Sequence, residues 1–125
     1  MRAQQSFPPE LVSAARARRF AEITLATWSC DEVVESARLM LSELVVNAVL
    51  HAGTRVVVRM SCTDGVVRFE VEDEDPTPLP APKVMAPDVP NGRGLSIVDS
   101  LADAWGTKLT PHGKVVWFEI SPSEN

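Results

Sequence analysis

Between Glu10 and Trp28 the apolar residues Leu11, Ala14, Ala15, Ala17, Phe20, Ala21, Ile23, Leu25 and Trp28 recur with a helical period. This spacing predicts a first helix, with Arg16, Arg19 and Glu22 on its wetter face. Pro8 and Pro9 stand where proline is tolerated, at the first turn. Ser29 and Glu32 have the S-x-x-E spacing of a capping box. They predict the start of a second helix that runs to about Ala52 and is stopped by Gly53. Val33, Val34, Ala37, Leu41, Leu44, Val45, Ala48 and Val49 make that helix apolar on most of its circumference, which suits packing against a sheet.

Beyond Gly53 the period shortens to two. Segments 55–62 and 66–73 flank Asp64-Gly65 and read as a tight hairpin. In the second strand Val67, Phe69 and Val71 face one way and Arg68, Glu70 and Glu72 the other, so one face is buried and one wetter. Residues 76–90 carry six prolines and can form neither a regular helix nor a central strand. A short helix follows from Leu95 to about Leu101. Two last strands are expected near 107–110 and 114–120, joined by Pro111-His112-Gly113. Residues 1–7 read as a loose arm.

The 125 residues suit one domain, 1–125, with an ordinary globular composition of 45% apolar and 23% charged residues. A net charge of -5 argues against a nucleic-acid partner, since such binding rests on Lys and Arg neutralising phosphates. Cys30 and Cys62 form neither a metal-ligand pattern nor a disulfide framework and fit a reducing compartment. No secretory signal and no apolar run of about 20 residues is present, so a cytoplasmic protein without a membrane partner is expected.

Glu43, Asn47 and His51 recur at i, i+4 and i+8, which places three polar residues on one stripe of an otherwise apolar helix. Burying such groups costs free energy unless they find partners, so the stripe either meets water or lines a site. Asp73 ends an apolar strand and is followed by Glu74, Asp75 and Pro76, which by themselves read as a turn. Gly92-Arg93-Gly94 precedes a helix, where backbone N–H groups can approach an anion. There is no P-loop.

Taken in order, an E-x-x-x-N helix, a V-x-D strand end, a long loop and then G-x-G-L with a helix resembles the histidine-kinase/Hsp90/MutL ATPase superfamily. Ser42–Ala52, Gly92–Val98, Leu101–Gly106 and Val116–Ile120 are most similar to the short anti-sigma-factor serine/threonine kinases. The resemblance implies a two-layer α/β sandwich, with a mixed, mainly antiparallel sheet and helices on one face. It implies ATP and Mg²⁺ as cofactors, with Glu43 as general base and Asn47 as metal ligand. The implied ATP contacts are Asn47, His51, Asp73, Asp75, Pro76, Gly92, Arg93, Gly94 and Leu95, with residues 76–91 as a lid. It implies a protein antagonist and a sigma factor as partners, and admits a homodimer.

Two features depart from the family. Asp75 and Thr77 replace the glycines of D-x-G-x-G, and Val115 is expected where a Thr stands beside the adenine-binding Asp. The leading expectation is an ATP-dependent serine/threonine kinase. A nucleotide-gated binding module and a domain acting only as an interaction surface stay open beside it.

Overall fold

The computed structural model describes residues 1–77 and 93–122. In chain order the elements are β1 (Arg2–Phe7), α1 (Val12–Thr27), a 3₁₀ turn (Asp31–Val33), α2 (Val34–Asn47) and a π turn (Ala48–Ala52). There follow β2 (Val56–Thr63), β3 (Val66–Asp73), α3 (Arg93–Leu101), β4 (Ala104–Thr110) and β5 (Gly113–Ile120). The sheet order is β1-β2-β3-β5-β4. Alternate residues of the central strands point into the core: Val56, Val58 and Met60 from β2, Val67, Phe69 and Val71 from β3, Val116, Phe118 and Ile120 from β5. There they meet Ala17, Ala21 and Leu25 of α1, Ala37, Met40, Leu41, Leu44 and Val45 of α2, and Leu95 and Val98 of α3. The architecture is the expected two-layer α/β sandwich.

The rings of Phe69 and Phe118 stack at 4.8 Å between centroids in the middle of this layer. The opposite sheet face is charged. Arg59 pairs with Glu72 at 2.6 Å, and Arg68 pairs with Glu119 at 3.0 Å while lying 4.3 Å over the Trp117 ring.

The structure corrects three expectations. The sheet is not mixed: all four pairings among the described residues are antiparallel. Residues 1–7 are not a loose arm, because Arg2–Phe7 pair with β2 in register from Arg2↔Ser61 to Phe7↔Val56. Phe7, buried at the end of that strand and edge-on to Phe20, anchors it. The polar run Arg2–Ser6 hid the strand because an edge strand needs little apolar surface.

Ser29 does not cap α2. It ends α1, with φ 59°, while its N–H donates to Ala26 O and the Cys30 N–H donates to Leu25 O. That is the Schellman pattern of a helix C-terminus, here with serine in the left-handed position. Cys30 and Cys62 are free, half-buried neighbours with sulfurs 3.7 Å apart. Burial, followed by the hydrogen bond and charge of Cys62, raises the Cys30 thiol above its ordinary pKa.

Gly53 stops the second helix as expected, with φ 62°. The β2–β3 turn has Asp64 at φ 54° and Gly65 at φ 80°, the paired left-handed conformations of a type I′ turn. A Cβ on Gly65 would meet nothing within 4 Å, so only conformation opposes a side chain. Gly65→Ala is therefore expected to cost about 1 kcal/mol in denaturant unfolding. A loss above about 2 kcal/mol would contradict this account. Among the described residues no helix is long and apolar enough to cross a membrane.

Candidate functional site

The long helix brings its polar residues to the sheet, but not as one stripe. Asn47 closes the regular part of α2 and is buried at 5% exposure, whereas Glu43 is half-buried and His51 exposed. After Asn47 the helix widens into a π turn, in which the Gly53 N–H donates to Ala48 O, an i→i+5 bond. His51 still borders the same small cavity as Asn47. That cavity, of about 10 Å³, is enclosed by Leu44, Asn47, Ala48, His51, Val71, Asp73, Lys114 and Val116. Glu43 is not among its lining residues.

Asp73 stands at the core-facing end of β3 with 5% exposure. Opposite it in register is Lys114, at 3% exposure. Lys114 Nζ lies 3.2 Å from Asp73 Oδ1, 3.2 Å from Oδ2 and 2.9 Å from Asp75 O. The ammonium thus donates to Asp73 Oδ1 and Asp75 O and keeps Asp73 Oδ2 within ion-pair distance. The register also corrects the expected match of Val115 to the family's Thr. Val115 lies opposite Glu72, whose side faces solvent; Lys114 faces the core beside Asp73.

The loop after β3 is built from two successive side-chain turns. Asp75 N–H donates to Asp73 Oδ1, and Thr77 N–H donates to Asp75 Oδ1, each at 2.9 Å. These bonds take over the chain reversal that glycines provide in D-x-G-x-G. The hydrogen bonds from Thr77, backbone first and side chain second, hold the Asp75 carboxyl below its ordinary pKa, with a smaller contribution from Lys114. Pro76 is exposed. α3 opens at Arg93–Gly94 and packs on α2, with Leu95 buried in the core. Gly92 and residues 78–91 of the expected lid lie outside the described residues.

ATP and Mg²⁺ can be tested against these side chains. Asn47 is the candidate on the metal side: it borders the cavity with a buried amide whose oxygen is the ligand type Mg²⁺ prefers, and whose Nδ2 has no hydrogen-bond partner among the described residues. Asp73 has the carboxylate that an exocyclic amino group needs, but Lys114 holds both its oxygens. On the metal side the described residues thus offer one buried amide, that of Asn47. The base side fits only when the ammonium has moved.

Lys114, which the motifs do not single out, is the residue that the register adds beside Asp73. A wider depression of about 610 Å³ lies on the charged sheet face among Arg2, Gln4, Arg59, Arg68 and Glu70. It contains none of the residues that the sequence singles out.

Comparison with known proteins agrees with this fold. The family model described as a histidine kinase-like ATPase domain matches residues 7–120. No curated protein matches. Among solved structures, the RsbU and RsbW domains of Rv1364c from Mycobacterium tuberculosis align over 97% of this chain and 32% of that one, with 19% identity and a TM-score of 0.74. The histidine kinase domain of the blue-light-activated histidine kinase EL346 from Erythrobacter litoralis aligns over 73% of this chain and 45% of that one, with 22% identity and a TM-score of 0.54. This chain thus spans under half the length of either structure.

Proposed function

We propose, from the premise that this chain belongs to the histidine kinase-like ATPase domain family, that it is an ATP-binding regulatory protein of the anti-sigma kinase type. It would transfer the γ-phosphoryl of ATP to a serine or threonine of a protein antagonist and control a sigma factor by sequestration. The observation that carries the nucleotide reading is the buried Asn47 amide, unpartnered at Nδ2 and set in the cavity between α2, β3 and β5. The similarity of Ser42–Ala52 and Gly92–Val98 to that kinase group supports the choice of substrate and partner.

Asn47 would offer its amide oxygen to Mg²⁺, a hard cation that prefers oxygen ligands. Among the described residues no three His, Cys, Asp or Glu side chains gather as a ligand set. One amide completed by phosphate oxygens and water is the arrangement such a site permits. The metal would neutralise phosphate charge as the γ-phosphoryl transfers. Glu43, one turn before Asn47 and half-buried, would accept the proton of the substrate hydroxyl. The backbone N–H groups at the start of α3 would face the phosphates.

Titration of ATP with and without Mg²⁺ tests the binding. Asn47→Ala is expected to abolish its Mg²⁺ dependence. Glu43→Ala is expected to leave binding intact and to lower transfer of labelled phosphate to a captured protein partner by about 100-fold or more. Equal turnover by Glu43→Ala and the parent would remove Glu43 from the reaction. Mg²⁺-dependent binding with no transfer by the parent would instead select the nucleotide-gated binding module.

A further inference from the structure

The base side of the site is already satisfied by the chain itself. Lys114 Nζ donates to Asp73 Oδ1 and to Asp75 O and is ion-paired with Asp73 Oδ2 at 3.2 Å, and Asp73 Oδ1 also accepts from the Asp75 N–H. What is left between α2 and the sheet is about 10 Å³, room for about one water and no more. Sites that take a small organic ligand measure roughly 300–1,000 Å³. A purine fits in this cavity between α2 and the sheet only if part of its described wall moves. Leu44, Val71 and Val116 are tied into the core. Lys114 differs from them, because its ammonium sits at the end of a flexible four-carbon stem.

We propose that Lys114 acts as an intramolecular stand-in for the nucleotide base, so that its departure from Asp73 admits the purine and sets nucleotide affinity. This rests on the ATP reading above and adds a specificity-determining residue to that site. The built geometry supports it. Gly113 brings the start of β5 so close to β3 that a Cβ there would lie 1.8 Å from Asp73 O, and this approach delivers Lys114 to the carboxylate.

The sign of the effect distinguishes this role from a binding role. Removing a cation from near a polyanion ordinarily weakens binding. Removing an internal competitor strengthens it. Lys114→Thr is therefore expected to tighten ATP at least about tenfold over a weakly binding parent, as measured by calorimetry. Lys108→Thr, an exposed change on β4, should not tighten ATP at all. Unchanged or weaker ATP binding by Lys114→Thr overturns the proposal.

Lys114→Thr leaves Asp73 buried without its partner, so the variant can fail to fold. Side-chain nitrogen NMR of the parent then decides. The Lys114 ammonium, buried and hydrogen-bonded to Asp73 Oδ1 and Asp75 O, should give a slowly exchanging resonance that is lost when Mg-ATP saturates the protein. Saturation with that resonance unchanged overturns the role of Lys114 and leaves the ATP reading standing. No nucleotide binding by the parent overturns both.

Discussion

Asp73→Ala is expected to destabilise the protein by about 3–5 kcal/mol, far more than the loss of one carboxylate from a surface. The residue is 5% exposed and its partner Lys114 3% exposed. Truncation would leave an ammonium among Leu44, Val71 and Val116 with only Asp75 O to hold it. The large cost comes from that abandoned charge and says little about the net worth of the pair. A buried ion pair is repaid only partly for its desolvation, and apolar replacements of similar volume are often neutral.

Asp73→Ala/Lys114→Met is therefore expected to recover most of the stability lost by Asp73→Ala. The coupling energy should be at least about 2 kcal/mol in a denaturant double-mutant cycle. If Asp73→Ala costs less than about 1 kcal/mol, the ammonium has found water and the pair is not sealed. If the double variant is no better than the single one, the two residues do not share one energetic unit.

This pair also marks the limit of what the sequence made legible. The hairpin at Asp64-Gly65, the stop at Gly53 and the alternation of β3 follow from local rules, because a turn or a pleat is decided by neighbouring residues. The family motifs located Asn47 and Asp73 in the same way. Lys114 was readable in principle. Val67, Phe69, Val71 and Asp73 share one face of β3, and Ile120, Phe118, Val116 and Lys114 share one face of β5. Each apolar series ends in a charge, and the charges are opposite. Pairing them requires the register of two strands separated by α3 and β4, and no local rule supplies that register. The π turn after Asn47 is likewise invisible to an i, i+4 count, although His51 still borders the same cavity as Asn47. Ser29 shows the converse case. Its S-x-x-E spacing was real, but the six-residue closure from Cys30 N–H to Leu25 O claimed it for the end of α1.

Gly113→Ala is expected to cost about 3 kcal/mol or more, in contrast to the small loss at Gly65, although the substitution is the same. At Gly65 nothing stands within 4 Å of a new Cβ, and only the left-handed backbone resists. At Gly113 the new Cβ would lie 1.8 Å from Asp73 O and 2.8 Å from both Asp73 C and Glu74 Cα. All three are backbone atoms, so no rotamer change relieves the overlap and the strands must separate. The separation would fall where Asp73 pairs with Lys114 in register and where Thr110 pairs with Gly113. It would therefore pull the ammonium from the carboxylate as well as break the end of the ladder. Hydrogen exchange should show lost protection near 71–73 and 114–116, with the Asp64-Gly65 end of β3 unchanged. A loss below about 1 kcal/mol, or equal loss of protection at both ends of β3, would show that β5 does not depend on this close approach to hold Lys114 in the site.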